Sequence, residues 1–219
     1  MTGSPLDDVV EITILSLAVS GAATAISLLI GLPVGTWLAL TRMRSRGAVL
    51  SVVNTGMAFP PVVVGLFVAL LLWRSGVLGG LGLMYTPGAM VIAEVIIATP
   101  VMVGLTVAGL GQLDPRLHVQ LRGLGASRWQ TVWWLWREAR LPLLAALMAA
   151  FGSVISEVGA AMMVGGNIAG QTRVLTTSIV LETGRGEFGN AIVLGLVLLA
   201  LAFMVNGVLT WAQQRGPRA

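Results

Sequence analysis

The chain has 219 residues, of which 56% are hydrophobic and 10% charged, with a net charge of +4 and a mean hydropathy of +0.91. Soluble domains carry roughly a quarter charged residues, so this composition excludes an ordinary soluble domain. All 13 basic residues are arginines. They cluster at the ends of apolar segments, which favours a role in membrane topology over nucleic-acid binding. There is no cysteine and one histidine, His118, so neither a disulfide nor a metal site is expected.

Five apolar segments each exceed the roughly 18 residues that indicate a spanning helix. In chain order they run over residues 12–40, 49–73, 87–113, 141–164 and 188–211. Lipid cannot satisfy backbone polar groups, so helices are the expected form. We therefore predict an all-α fold, a polytopic membrane helical bundle with about five transmembrane helices in a single domain over residues 1–219. The N-terminus is acidic and lacks the basic region of a cleavable signal, so the first span is expected to stay in the membrane.

Prolines and glycines mark special positions within these spans. Pro60-Pro61 and Pro100 are predicted to kink their helices. Gly31 and Gly35 form a G-x-x-x-G pair that permits close contact with another helix. The alternative is a chance pairing, since the chain contains 28 glycines.

Arginine placement predicts the orientation of the spans. With the N-terminus outside and the C-terminus inside, the inner side holds Arg42, Arg44, Arg46, Arg116, Arg122, Arg128, Arg137, Arg140, Arg215 and Arg218, and the outer side holds Arg74, Arg173 and Arg185. This is a strong positive-inside bias. It makes residues 114–140 a cytoplasmic loop and residues 165–187 an external loop.

The cytoplasmic loop predicts two short helices. Asp114 and Pro115 are suited to a helix start, Gly125 interrupts the chain, and Ser127 is a candidate N-cap for the second helix. In that helix Trp129, Trp133 and Trp136 recur at i, i+4 and i+7, which is typical of an amphipathic helix in the headgroup layer. The uncharged Leu-Gly-Ala-Ser turn between the helices instead suits docking into a groove on another protein.

The stretch GLGASRW followed by REARLPLL resembles the cytoplasmic loop of bacterial ABC importer permeases. In that family Glu-Ala-Ala, three residues and a glycine, then a downstream Leu-Pro, mark the coupling helices that sit on the ATPase subunits. Gly125 matches the glycine and Leu141-Pro142 the closing pair. Two departures are that residues 119–121 are Val-Gln-Leu and that the interval to Pro142 is longer. The resemblance implies ATPase contacts at Leu124, Gly125, Ala126, Ser127 and Arg128.

The segment after the fourth apolar stretch resembles the oxyanion branch of the same family. E-V-G-A, G-N-I and G-x-T-R are typical of permeases for molybdate, sulfate or tungstate, and the run MMVGGNIAGQTRVLTTSIVLET is most similar to tungstate permeases. The resemblance implies the type I importer permease fold in a bacterial or archaeal cytoplasmic membrane. It also implies three protein partners: a second copy of the chain, an ABC ATPase, and a periplasmic or lipid-anchored oxyanion-binding protein.

The chemistry of a tetrahedral dianion points to residues in the same region. Such an anion is held by neutral donors, by arginine and by helix N-termini. The candidate contacts to the pathway or to the binding protein are Asn167, Thr172, Arg173, Thr176 and Thr177. The alternative is a polar external loop with a short amphipathic helix over residues 174–181.

Two acids lie within apolar segments, where a charged residue costs about 2.5–3.5 kcal/mol on insertion scales. They are Glu94 and Glu157. Neither suits a dianion while ionised, so we expect structural roles between helices, with Glu157 helping to set a gate near Gly159. The alternative for each is an interhelical acid whose hydrogen bonds are satisfied.

Three further functions are weighed against a tungstate importer permease. A molybdate or sulfate importer permease has the same sequence features. A stand-alone secondary carrier is expected to show repeated halves, and no such symmetry is visible. A membrane enzyme would have only Glu94 and Glu157 as candidate catalytic groups. The sequence lacks the G-x-x-x-x-G-K-[ST] loop, so we expect a transport subunit without a cofactor, with ATP and Mg²⁺ on the partner ATPase.

Overall fold

The computed structural model describes residues 5–41 and 43–214, which form ten α-helices, one 3-10 turn and no strand. The helices are α1 (Pro5–Leu40), α2 (Arg46–Met57), α3 (Pro61–Leu72), α4 (Pro87–Gly111), α5 (Pro115–Gly123), α6 (Arg128–Glu138), α7 (Arg140–Ile155), α8 (Gly159–Gly165), α9 (Leu175–Gly184) and α10 (Phe188–Gln214). The predicted all-α class is confirmed. Arg42, Arg215 and Arg218, which enter the predicted orientation, lie outside the described residues, as does the side chain of His118.

Within the described residues, three helices are long and apolar enough to cross a membrane: Asp8–Leu40, Pro87–Gly111 and Phe188–Trp211. Two further spans are counted if each bent helix pair is one span. The α2–α3 pair bends by 95° and the α6–α7 pair by 74°. The range of three to five includes the five predicted spans.

The prolines act differently in the two helices where kinks are predicted. At Pro60-Pro61 the chain breaks between α2 and α3, because a proline disfavours helical backbone in the residue before it and lacks a donor. At Pro100 no break occurs, and α4 continues as one helix. Of these two sites, only the double proline interrupts the helix.

The fourth predicted span, residues 141–164, is not one continuous helix, and that prediction is wrong. Helix α7 ends at Ile155 and α8 begins at Gly159. The Glu157 side chain caps the second helix, since its Oε1 accepts a hydrogen bond from the Ala160 amide at 3.0 Å. A local acceptor for the first amides of a helix stabilises a new helix start.

The most extensive helix packing is between α1 and α4, which run parallel. A β-carbon at Gly31 would lie 2.7 Å from Cβ of Met102, and one at Gly35 would lie 2.7 Å from Cβ of Thr106. The predicted G-x-x-x-G contact is therefore real, since only glycine permits this separation. Farther along the same interface, the Thr99 hydroxyl lies 3.3 Å from the Ser27 hydroxyl, within hydrogen-bonding distance.

Helices α3, α4 and α8 form a second core at the other end of α4. Its buried members include Val64, Val68, Met90 and Val164. Helices α3 and α8 cross tightly, because a β-carbon at Gly65 would lie 2.7 Å from Cα of Ala160. Helix α3, which follows the break at the double proline, thus packs directly on α8, which follows the break after Ile155.

The helix ends define two ends of the molecule. At one end, the Trp136 indole on α6 donates to the Thr36 hydroxyl near the end of α1 at 2.8 Å. At the other end, the rings of Trp73 and Tyr85 meet edge to face at 6.2 Å, and the Tyr85 amide donates to the carbonyl of Val164 at 2.9 Å. The predicted cytoplasmic loop and the start of the predicted external loop therefore lie at opposite ends of α4, which is about 37 Å long at 1.5 Å per residue.

The α1–α4 contact predicts opposite effects for two glycines of the same helix. Gly35→Ala inserts a β-carbon into the interface and is expected to destabilise the fold by about 1–3 kcal/mol. Gly21→Ala is the control, because nothing lies within 4 Å of a β-carbon there, and the change favours helix by up to about 1 kcal/mol. Thermal unfolding in detergent measures both. Equal midpoints for the two variants would contradict the close contact.

Candidate functional site

The two helices of the predicted cytoplasmic loop begin where the sequence predicts. The Asp114 side chain accepts from the Arg116 amide at 2.8 Å and starts α5. Ser127 starts α6 through a capping box, in which its hydroxyl accepts from the Gln130 amide at 3.3 Å and Gln130 Oε1 accepts from the Ser127 amide at 2.8 Å. Reciprocal capping of this kind fixes where a helix starts, so the turn between α5 and α6 is well defined.

The turn between α5 and α6 projects from the protein. Gly125 has φ +82° and nothing within 4 Å of a β-carbon, and its amide donates to the Arg122 carbonyl at 3.0 Å. Positive φ is a conformation that glycine adopts without strain. The large apolar side chains around the turn are strongly exposed: Val119 by 69%, Leu124 by 85% and Trp129 by 83%. A cluster of exposed apolar side chains marks an interaction surface. We call Val119, Leu124 and Trp129 the apolar tip.

Helix α6 is held to the bundle by one of its faces. Thr131 and Leu135 are buried, as is Ala139 directly after the helix, and Trp136 bonds to Thr36. Trp129, predicted to share one exposed face with Trp136, is 83% exposed. Trp136 instead faces the bundle, where its indole N–H donates to the buried hydroxyl of Thr36.

The predicted external loop begins with a compact turn that follows α8. Gly166 and Gly170 both have φ +71°, and Asn167 has φ +53°, a conformation that asparagine tolerates better than most residues. The buried Thr172 hydroxyl donates to the Gly165 carbonyl and accepts from the Ile168 amide at 3.0 Å. Thr172 therefore closes the turn from within.

Two predicted hydroxyl contacts lie at the start of α9, and both are buried. Thr177 accepts from the Val174 amide at 3.1 Å, and Thr176 donates to the Glu157 carbonyl at 2.8 Å. The Leu175 amide donates to the Ser16 hydroxyl of α1 at 2.8 Å. Residues 165–187 are thus not an open loop: the centre of the segment is folded into the bundle. The alternative helix exists, but it begins at Leu175 and its first four residues are buried.

Arg173 and Asn167 differ from the threonines, because each keeps an unused polar atom. Arg173 Nη2 lies 3.5 Å from the Asn167 carbonyl oxygen. Among the described residues, Arg173 Nε and Asn167 Oδ1 are buried without a hydrogen-bond partner, as is the Ser178 hydroxyl. A buried polar atom without a partner costs free energy, so these groups remain available to a ligand or to a rearranged state of the protein.

The break between α7 and α8 holds Glu157 and Gly159. Besides capping α8, Glu157 binds Thr176 through its carbonyl. A β-carbon at Gly159 would lie 2.3 Å from Cγ2 of Val62. Glu94 of α4 is 3% exposed, and its Oε2 is buried without a hydrogen-bond partner among the described residues. The break is thus tied to α9 through Glu157 and to α3 through Gly159.

Sequence reasoning missed the small polar residues of α1. Ser16, Ser20, Thr24 and Ser27 are all buried; Ser16 contacts the start of α9 and Ser27 contacts α4. Their spacing of three or four residues along one face of an apolar helix was the available signal, since small polar residues favour helix contacts in membranes.

These features define a class, a polytopic helical membrane protein with a projecting helical loop at one end. The chain belongs to the family of binding-protein-dependent transport system inner membrane components, whose model matches residues 31–215. A probable anion ABC transporter permease of Haloferax volcanii is 40% identical over 95% of this chain and 92% of that relative. A tungstate uptake system permease, TupB of Peptoclostridium acidaminophilum, is 39% identical over 94% and 90%.

A solved structure supports the same fold. An inward-facing MetNI methionine ABC transporter chain superposes with a TM-score of 0.73, at 22% identity, over 98% of this chain and 97% of the other. The predicted type I importer permease fold is confirmed. The chain is a permease subunit of an ABC importer, a transport component of the membrane.

The Thr172 hydroxyl is expected to stabilise the fold, because it bonds two backbone groups of the turn. Thr172→Val keeps the shape but leaves the Gly165 carbonyl and the Ile168 amide unpaired, which costs about 1–3 kcal/mol. Thr183→Val is the matched control, since the exposed Thr183 hydroxyl bonds only one carbonyl within its own helix. The thermal midpoint of each variant in detergent is the measurement. A midpoint for Thr172→Val as high as that of the control would contradict this role.

Proposed function

We propose that this permease translocates a tetrahedral oxyanion, tungstate, driven by partner ATPase subunits that bind its projecting turn. The observation that carries the proposal is the combination of 39% identity to a tungstate uptake permease along nearly the whole chain with an arginine whose Nε is buried and unpaired. Guanidinium groups suit the recognition of tetrahedral oxyanions. Molybdate and sulfate have the same shape and charge, and competition between the anions tests the assignment.

The proposed ATPase contact is the turn of Leu124, Gly125, Ala126, Ser127 and Arg128, together with the apolar tip. The exposure of Leu124 and Trp129 supports it, because buried aromatic and aliphatic anchors dominate protein–protein binding. The capping box at Ser127 and the fixed backbone at Gly125 preorganise the turn. A preorganised surface lowers the entropic cost of docking.

The proposed transport cycle uses two copies of the chain around one pathway. ATP and Mg²⁺ bind the ATPase pair, and its closure moves the docked turns and reorients the bundle. A periplasmic or lipid-anchored binding protein delivers the anion at the opposite end. The positive-inside distribution of arginine supports an external N-terminus and a cytoplasmic turn.

The proposed gate is the break between α7 and α8. Glu157 and Gly159 sit at this break, where Glu157 links α8 to α9 through Thr176. A helix interruption with satisfied hydrogen bonds is a place where two rigid segments can change their angle. We place Asn167, Thr172, Arg173, Thr176 and Thr177 between this gate and the binding-protein surface, with the threonines shaping the segment and Arg173 meeting the anion.

A bulky side chain in the turn is expected to uncouple the permease from its ATPase subunits. Gly125→Trp adds bulk at the proposed docking point and strains a backbone with φ +82°, so ATP-driven tungstate uptake into vesicles should fall to background while the chain still inserts into the membrane. Gly111→Trp is the control, since Gly111 also has nothing within 4 Å of a β-carbon and lies outside the turn. Gly125→Asn tolerates positive φ and separates strain from bulk. Normal uptake by Gly125→Trp would remove the turn from the ATPase interface.

Removing Arg173 is expected to impair uptake of the anion. Arg173→Ala should lower tungstate uptake by the assembled transporter at least tenfold if the lost charge-assisted bond is worth about 1.5 kcal/mol or more. Arg185→Ala is the matched control, because Arg185 is exposed and pairs with Glu182 at 3.2 Å. The wild-type assay with competing molybdate and sulfate reports the preferred anion. An unchanged rate for Arg173→Ala would exclude Arg173, and stronger competition by molybdate would reassign the substrate.

A further inference from the structure

We infer that α6 carries a binding surface for anionic phospholipid headgroups, formed by Trp133, Trp134 and Arg137. We call these three residues the aromatic patch. The inference concerns a different surface from the proposed ATPase contact at residues 124–128. It depends only on the placement of α6 at the membrane boundary.

The side chains of the aromatic patch are turned away from the bundle. Leu135 is 3% exposed on the bundle side, whereas Trp133 is 63% and Trp134 47% exposed. The guanidinium carbon of Arg137 lies 5.1 Å from the centroid of the Trp134 ring. This cation–π contact holds the charge beside an exposed aromatic surface. No ion pair between Arg137 and a carboxylate is present in the described part of the chain, so its charge is available to a phosphate.

The orientation of α6 suits a membrane surface. The helix lies at 74° to α7, and α7 runs antiparallel to the membrane-crossing α10, since Gln213 Nε2 lies 3.4 Å from the Leu141 carbonyl oxygen and Phe151 packs with Leu201. A helix nearly perpendicular to its neighbouring spans lies close to the membrane plane. Helices in that plane with aromatic and basic side chains bind at the headgroup layer.

The level of the membrane boundary is marked independently by two other tryptophans. Trp37 on α1 and Trp211 on α10 are each 55% exposed and continue the exposed apolar surfaces of those helices. Trp136 bonds to Thr36, the residue before Trp37, and the Leu141–Gln213 contact lies two residues from Trp211. The aromatic patch is therefore level with two exposed tryptophans on spanning helices. Tryptophan concentrates at this depth of the bilayer, which favours lipid over a soluble subunit as its partner.

The test uses the full chain in phosphatidylcholine nanodiscs containing phosphatidylglycerol brominated near the top of its acyl chains. Bromine quenches tryptophan emission at short range. Emission from Trp133 and Trp134 is obtained as the difference between each protein and the same protein carrying W133F and W134F. We expect the brominated anionic lipid to quench this emission at a lower mole fraction than brominated phosphatidylcholine.

The arginine contribution is tested with Arg137→Gln. A basic residue near an anionic surface contributes about 1 kcal/mol, so the mole fraction of anionic lipid for half quenching should rise about fivefold. Arg116→Gln, an exposed residue of α5, is the matched control and should leave that value unchanged. Equal quenching by the anionic and neutral lipids would overturn the inference. Emission that neither lipid quenches, and that changes only when the ATPase subunit is added, would also overturn it and would assign the patch to protein docking.

Discussion

The close approach of α1 and α4 is the constraint on which the rest of this structure depends. Gly31 and Gly35 remove the side chains that would keep the helices apart, and in lipid such contacts replace the hydrophobic drive of a water-soluble core. Ser16, in the first half of α1, binds the start of α9, and Thr36 near the end of α1 binds α6. Twenty helical residues separate these two contacts, about 30 Å. One helix therefore connects the two segments proposed to carry function.

The requirement that buried backbone be hydrogen bonded explains how the broken helices are tolerated. Lipid supplies no partners, so each interruption must be satisfied by protein. At the double proline the Val63 amide donates to the Pro60 carbonyl at 2.9 Å. At the second break the Glu157 carboxylate caps α8. The segments after both breaks pack on each other through Gly65 and Ala160, so the two interruptions belong to one packed unit.

Much of the projecting loop could be predicted because its signals are local. Asp114, Ser127 and Gly125 act on amides within a few residues, so helix starts and a positive-φ turn follow from the residue types. The outer segment could not be predicted in this way. Thr172, Thr176 and Thr177 look like ligands for an anion, yet their hydroxyls bond the protein's own backbone. Those partners lie in α8, at the break before it and within the segment itself, so only the folded chain decides whether a hydroxyl is free.

Composition and local pattern by themselves determined that the chain lies in a membrane, is helical, and exposes a small turn between two capped helices. These properties follow from hydropathy and from hydrogen bonds between near neighbours in the chain. Tertiary structure alone decided that the fourth apolar stretch is two helices. It also decided that Trp136 faces the bundle while Trp133 does not. In the outer segment, it decided that Arg173 rather than the threonines keeps an unused donor. The physical reason is that burial and pairing depend on residues distant in sequence, such as Thr36 and Ser16, whose positions are set by packing between helices.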